Sequence, residues 1–499
     1  MPDKEYGIDD ITWNDLDLDL FLKSFDRTCS RNGGEYLYDM LRRPLITKEG
    51  QEELKERGRV SDLFRKDTAL RDRYIRAFEE QEELKNDCFH DRLESLKDAG
   101  TDSDLVHISA LILGVVSLCL IFIYPPAGFV MFLIAAGFNV FTYFKRKAET
   151  DPYIPVIRYL IKELKENKKI PGAPGLEAYR KKLDTAGDRL KSLESFSWIV
   201  FGGKNLTGGI MDLPLDFIRI FFHPDLIKYN SMIRVIKREM ASVRELFDVT
   251  GFLDAMISLS FYKESLFYYS EPVFKEKGGI EVRRGYHPLL KSPVCYDIEG
   301  VSHMLLTGSN ASGKSTFLKS VALSILLSET VYLAPAEYFS AVPVEIFSSM
   351  SLRDDIAKGD SLYVTEIKSI RRIVERLRAG AGLAVFLDEV IKGTNTVERI
   401  ASLSSLLKSF SECSVCFAAT HDTPLTEILE NIYDNYHFDE LVTKDGISFP
   451  YELKKGRTES RDAIALLSVM GFDEEITKEA FGLSDTFMKE GVWERLKRK

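Results

Sequence analysis

Met304-Leu-Leu-Thr-Gly308-Ser-Asn-Ala-Ser-Gly313-Lys314-Ser315-Thr316 is the stretch that decides the fold of this chain. A short apolar run leads into a Gly-rich loop, and Phe317, Leu318, Val321, Ala322 and Ile325 follow at helical spacing. The loop fits G-x-x-x-x-G-K-[ST] without a gap. Glycines let backbone N–H groups close around phosphate oxygens, and the start of a helix adds positive potential there. The pattern therefore predicts that Gly308, Ser309, Asn310, Ala311, Ser312, Gly313, Lys314, Ser315 and Thr316 cradle the phosphates of ATP. Lys314 would reach the β- and γ-phosphates, and Ser315 would ligate Mg²⁺. A chance Gly-rich turn would lack the strand before it, the helix after it and the ordered motifs downstream.

Those motifs begin with Leu383-Ala-Val-Phe-Leu-Asp388-Glu389, an apolar strand ending in two carboxylates. Asp388 is placed to hold Mg²⁺, directly or through water, and Glu389 to orient or deprotonate an attacking water. Val415 to Ala419 is a second apolar strand, ending at Thr420-His421, where His421 can face the γ-phosphate side. Strands apolar on both faces suit a sheet covered on both sides. From Tyr269 onward the texture is strands, turns and amphipathic helices, an α/β pattern.

Residues Leu105 to Phe144 contain no charged side chain. Pro125-Pro126 divide the block into two apolar halves of about 18–20 residues, or roughly 27–30 Å as helix, which matches a hydrocarbon core. The expected structure is a transmembrane helical hairpin with Tyr-Pro-Pro-Ala-Gly at its tip. Lys145-Arg146-Lys147 follow directly, and Arg92 and Lys97 precede it, so the positive-inside bias puts both ends in the cytoplasm. The alternative, a buried helix pair in a soluble domain, requires a polar face that neither helix has.

The remaining sequence reads as helical and charged. Tyr36, Leu37, Met40 and Leu41 form one helical face before Pro44, and residues 48 to 100 are rich in Glu, Lys, Arg and Leu. Phe78-Glu-Glu80 matches a Phe-x-Glu pattern but lies within a charged helical run. Pro152 to Lys191 is helical with an interruption at 170–175, and Leu226 to Tyr269 is helical again. Phe196 to Pro224 is aromatic-rich, but Lys204, Asp212, Asp216 and Arg219 argue against a third full span. Whether it is a core segment or lies at the membrane interface stays open at this point.

With 45% apolar and 29% charged residues, the 499-residue chain is globular in composition and long enough for several domains. Its net charge of −10 argues against coating nucleic acid through bulk charge. Six cysteines do not suggest a disulfide framework, and Cys413-x-x-Cys416 lies at a buried strand rather than at a metal site. No signal peptide is expected, because the first twenty residues carry seven acidic side chains and no apolar core.

Together these residues resemble the MutS family of DNA mismatch-repair ATPases. The phosphate loop, Asp388-Glu389 followed by Gly393-Thr394-Asn395-Thr396, and Ala419-Thr420-His421 are all similar to that family's motifs. Gly359–Glu366 looks like the signature segment that acts on the neighbouring subunit's nucleotide, with Ser361 at the trans-acting serine. Gly285-Tyr-His287-Pro288 is similar to the opening of the ATPase domain, and the resemblance puts Phe274, in Pro272-Val-Phe274, at the aromatic that stacks on adenine. Tyr436–Asp439 and Lys455-Gly-Arg457 also fit, and Asp26–Leu45 looks like the start of the helical core. No L-S-G-G-Q-like signature is present, which counts against a transporter ATPase with fused membrane helices. The family's mismatch-reading and connector domains have no counterpart ahead of Asp26, and Ile391-Lys392 stand where Gly-Arg is common.

The expected architecture is multidomain, an α-helical core or lever region with a transmembrane helical hairpin, followed by an α/β P-loop NTPase domain. The boundaries are 1–104 and 145–269 for the helical core, 105–144 for the hairpin, 270–455 for the ATPase domain and 456–499 for a helical dimerisation segment. The expected function is Mg²⁺-dependent ATP hydrolysis at composite sites of a homodimer, coupled to movement of helical arms, on a multi-pass membrane protein whose soluble parts are cytoplasmic. Lys314, Glu389 and His421 would be catalytic, Ser315 and Asp388 would hold the metal, and Phe274, His287 and Ser361 would contact nucleotide. DNA is a candidate partner; the other reading is a mechanical ATPase acting on a protein or the bilayer without DNA.

Overall fold

The fold was analysed on a computed structural model, which describes residues 6–79, 93, 95–100, 104–201, 212–309, 312–350, 362–443, 446–457, 464 and 471–496. The chain divides into two compact units. One comprises 1–25, 40–58 and 265–499; the other comprises 26–39 and 59–264. This division differs from the one drawn on sequence at 104, 144, 269 and 455. Residues 1–25 and 40–58 fold with the carboxy-terminal α/β part, because long-range pairing rather than local helicity decides membership.

In the α/β unit the strands are β1 (Val273–Phe274), β2 (Ile280–Gly285), β3 (Tyr296–Val301), β4 (His303–Thr307), β5 (Tyr338–Ala341) and β6 (Glu345–Ser349). They are followed by β7 (Leu383–Asp388), β8 (Val415–Ala419), β9 (Asp434–Phe438), β10 (Leu441–Thr443), β11 (Gly446–Ser448) and β12 (Leu453–Lys455). Six form one sheet in the order β12-β9-β4-β8-β7-β6, parallel except for β12 at the edge. A smaller sheet runs β1-β5-β2-β3. β7 and β8 are buried almost throughout, as expected for strands covered on both faces. The helix Lys314–Val331 is buried on nearly every side. The Phe317 ring meets Tyr296 of β3 edge-on at 4.9 Å and stacks 6.5 Å from Phe417 of β8.

The amino-terminal segment covers the free edge of β6, where unpaired strand groups would otherwise face solvent. The Tyr6 hydroxyl donates to the Ile346 carbonyl and accepts from the Ile346 N–H, each at 2.7 Å. Thr12 Oγ1 accepts from Ser348 N at 3.2 Å, and buried Asp15 accepts from Ser348 Oγ at 2.7 Å and Met350 N at 3.0 Å. The sequence placed this segment with the helical core, within 1–104; its use as an edge cover was not legible.

The other unit is helical among its described residues. Helices Ile154–Asn167 and Glu177–Leu190 flank the interruption at 170–175, and the long run after residue 223 is two helices, Pro224–Arg238 and Met240–Ser265. Phe78 is fully buried, so it serves the core; Glu80 lies outside the described residues. Ser30 Oγ accepts from Gly33 N at 3.0 Å and caps the helix Arg31–Arg42, and buried Asp254 holds that cap by accepting from Ser30 N at 2.7 Å and Cys29 N at 3.0 Å.

The uncharged block forms two helices, Asp104–Ile123 and Pro125–Thr150. The prolines stand at the reversal and occupy the first positions of the second helix, where a missing N–H breaks no bond. The reversal is confined to Tyr124, and a Cβ on Gly128 would lie 2.3 Å from Ile121 N, so the second helix packs hard against the end of the first. Only 22% of each apolar window is buried. Phe122, Phe129, Ile134 and Phe141 are among many large apolar side chains left exposed.

Candidate nucleotide-binding site

The parallel sheet brings the sequence motifs to one edge. Ala419 of β8 is in register with Leu306 on one side and Asp388 on the other, so the loop after β4, the acids after β7 and Thr420-His421 emerge at one level. Gly308 has φ +149° and Gly313 φ +101°, which favours glycine at both. A Cβ at Gly308 would lie 2.9 Å from the Phe438 carbonyl oxygen, and one at Gly313 2.9 Å from the Tyr451 ring.

Lys314 Nζ donates to the Gly308 carbonyl at 2.9 Å and the Ser309 carbonyl at 2.7 Å. It also lies 3.7 Å from Glu389 Oε1. Burial pulls the lysine below its ordinary pKa. Ser315 Oγ hydrogen-bonds Asp388 Oδ2, while Asp388 Oδ1 is buried without a protein partner. Burial raises the Asp388 pKa, with Glu389 adding to the rise. A carboxylate with one unsatisfied oxygen beside a helix-start hydroxyl fits a hard cation that takes its other oxygens from phosphate and water. Among the described residues no group of three His, Cys, Asp or Glu could hold a metal by itself.

Glu389 has φ +49°, and its backbone N–H donates to the Ala419 carbonyl at 3.0 Å, which turns the side chain back over the loop. His421 Nε2 lies 2.5 Å from its Oε1 and Lys392 Nζ 2.7 Å from its Oε2. The His421 hydrogen bond, and then Lys392, hold its pKa down at about 2 against partial burial. A charged carboxylate held in this way could orient a water or take its proton. Lys392 was noted on sequence only as a departure; its contact with Glu389 required the turn after β7.

A cavity of about 470 Å³ opens beside the loop, lined by Gly313, Lys314, Ser315, Thr316 and Glu389 at one end. That volume is in the range of small-molecule sites. Leu290, Val294 and Tyr451 add half-open apolar surface to the lining. His287 lines it too, and burial lowers its pKa to about 4, so it is neutral near pH 7.

Phe274 is not among the lining residues. It belongs to the two-residue β1, paired with Ala341 of β5, and its ring centroid lies 6.4 Å from that of Tyr332. The walls Val294 and Tyr451 were missed on sequence because they stand 157 positions apart on loops with no motif of their own (451 − 294). Asn310, Ala311 and Ser361 lie outside the described residues. Thr394 and Asn395 act locally: the Asn395 side chain accepts from Glu398 N at 3.0 Å and caps Thr396–Phe410. His437 Nδ1 and the Gly456 carbonyl, 3.0 Å apart, link β9 to the end of β12. Cys413 and Cys416 are both buried and unpaired, and burial pushes the Cys413 thiol up to about 12.

Residues 304–488 match the family model MutS domain V. The chain is 30% identical over 259 residues to the DNA mismatch repair protein MutS of Fervidobacterium nodosum, a match covering 49% of this chain and 31% of that protein. It is 25% identical over 372 residues to the MutS of Thermotoga petrophila, covering 64% and 46% respectively. It is 29% identical over 301 residues to human MutS protein homolog 4, covering 50% and 31%. The matches span between about a third and a half of these relatives' length. The carboxy-terminal part of the chain is thus similar to MutS domain V, and the chain is similar over part of its length to MutS proteins.

Proposed function

We propose that this chain binds and hydrolyses Mg²⁺-ATP in the cavity beside Gly308–Thr316, and does so attached to a membrane. The observation that carries the reading is the meeting of Ser315 with Asp388, and of Lys314 with Glu389, at the mouth of that cavity. Ser315 and Asp388 would hold the metal, and bound Mg²⁺ would neutralise charge on the phosphates. Lys314 would exchange the Gly308 and Ser309 carbonyls for phosphate oxygens. Glu389, aligned by His421 and Lys392, would orient the attacking water, and Leu290, Val294 and Tyr451 would flank the base.

Two copies would pair head to tail, Ser361 of one completing the site of the other, so that ATP tightens the pair and hydrolysis loosens it. The hairpin 105–144 would anchor the pair in the membrane; its exposed apolar surface supports this, since a soluble core would cover it. Alkaline carbonate washing of membranes tests the anchor, and full release into the supernatant removes it.

Lys314→Ala is expected to abolish ATP binding in the detergent-solubilised protein. Glu389→Gln is expected to keep binding but slow hydrolysis by about 10²–10⁴-fold. Hydrolysis by Glu389→Gln at the unsubstituted rate would show that this carboxylate does not act in the reaction.

Two outputs fit this machine. The relatives are named for DNA mismatch repair, which points to DNA. The net charge of −10 favours the other output, mechanical work on a protein or the bilayer. A salt-dependent DNA titration separates them, and absence of binding at low salt removes the DNA reading.

A further inference from the structure

The segment Phe196–Pro224 was left open by the sequence, and part of it, the helix Asp212–Phe222, meets the hairpin. The last turn of the helix Asp212–Phe222 docks on both hairpin helices. Asn139 Nδ2, fully buried, donates to the Phe221 carbonyl at 2.7 Å and to the Ala110 carbonyl at 3.0 Å. The Phe221 ring stacks on Phe132 at 5.8 Å. Phe222 packs so close that a Cβ on Gly114 would lie 3.0 Å from its ring. Asn139 thus ties three helices together at one height.

That height can be placed along the hairpin. Ala110 is six residues beyond Asp104, and Asn139 six residues before Lys145. At 1.5 Å per residue the docking point is about 9 Å inside the charged residues that bound the block. Amphipathic helices lying in a membrane interface sit about 5–10 Å into the headgroup–acyl boundary.

The side chains divide accordingly. Phe217 and Ile218 are exposed, as are Phe196 and Trp198 beside the short helix Trp198–Phe201. They are rich in aromatic rings, which favour membrane interfaces. Arg219 is turned inward: its Nε donates to the Ile199 carbonyl at 3.1 Å and its Nη1 to Asp216 at 3.0 Å. Asp216 keeps half its side-chain surface, as a carboxylate at headgroup level would.

We infer that Asp212–Phe222, with Phe196–Phe201, is a third membrane-contacting element, an interfacial helix seated on the hairpin by Asn139, with Phe196, Trp198, Phe217 and Ile218 among the acyl chains. This rests on the membrane reading of 105–144. The occupant is the bilayer rather than a protein because the exposed apolar side chains continue directly from those of the hairpin, through the Phe132–Phe221 stack.

The test is photolabelling of the full-length protein in phospholipid vesicles with a diazirine carried on an acyl chain, followed by peptide mapping. The exposed Val397, on a helix of the α/β unit, gives the background level. Label on peptides containing Phe129 and Phe141 and on those containing Phe217 and Ile218, all above the Val397 level, is the expected result. Asn139→Leu is expected to lose label at Phe217 and Ile218 while keeping it at Phe129. Label at Phe129 with only background at Phe217 and Ile218 overturns the inference and leaves the hairpin reading intact. Background at Phe129 and Phe141 overturns both.

Discussion

Gly308 and Gly313 both take backbone angles that disfavour a side chain, but what surrounds them differs, and alanine at each should read that difference. At Gly308 the new methyl would meet the Phe438 carbonyl oxygen at 2.9 Å. That oxygen belongs to β9, held in the parallel ladder beside β4, so it cannot retreat without disturbing pairs such as Leu306–Tyr436. Backbone strain of about 1–3 kcal/mol adds to overpacking of about 1–3 kcal/mol, giving roughly 2–6 kcal/mol. At Gly313 the methyl would meet only the Tyr451 ring at 2.9 Å, and that ring is 47% exposed and can swing outward. There only the strain remains, about 1–3 kcal/mol. Trp13 is buried in the same unit, whereas Trp198 and Trp493 are exposed, so Trp198→Phe and Trp493→Phe leave one reporter of this unit's unfolding. Urea titration followed by Trp13 fluorescence should rank Gly308→Ala as the more destabilised. A Gly313→Ala protein equally or more destabilised would refute the claim that the neighbour's freedom to move sets the penalty.

Tyr6→Phe removes the hydroxyl that satisfies both polar groups of Ile346, and should cost about 1–3 kcal/mol in the same titration; an unchanged midpoint would mean that water replaces the hydroxyl at the edge of β6. Asp254 is buried and its pKa is raised to about 6, burial outweighing its hydrogen bonds. The folded form then binds the proton more tightly than the unfolded one, so its stabilising contribution is full below about pH 4 and is lost as pH rises through about 6. Helical-unit stability should fall by about 2–3 kcal/mol across that window in urea unfolding at stepped pH, and Asp254→Asn should flatten the slope. If Asp254→Asn leaves the slope unchanged, another group is responsible.

Much of the candidate site was legible because its parts are local. The loop Gly308–Thr316 has its own spacing, and the run ending in Asp388-Glu389 is a buried strand with acids at its end. Local pattern does not reach what contact decides. Nothing in the spacing of Pro272-Val-Phe274 shows that β1 pairs with β5 and that the Phe274 ring lies near Tyr332. Pro125-Pro126 do end the first helix, and they also open the second, because a helix's first N–H groups have no partner to lose.

By itself the sequence determined the helical or strand character of the long elements, the uncharged pair of helices, and the spacing of the loop and the place of the acids at a strand end, since these depend on residues within a few turns of one another. Only the tertiary structure decided that the amino-terminal segment covers β6, that Val294 and Tyr451 wall the cavity, that Lys392 and His421 grip one carboxylate, and that Asn139 seats a third helix on the hairpin. Each joins residues far apart in the chain, and loop closure over such distances is specified by packing and hydrogen-bond satisfaction rather than by any periodicity.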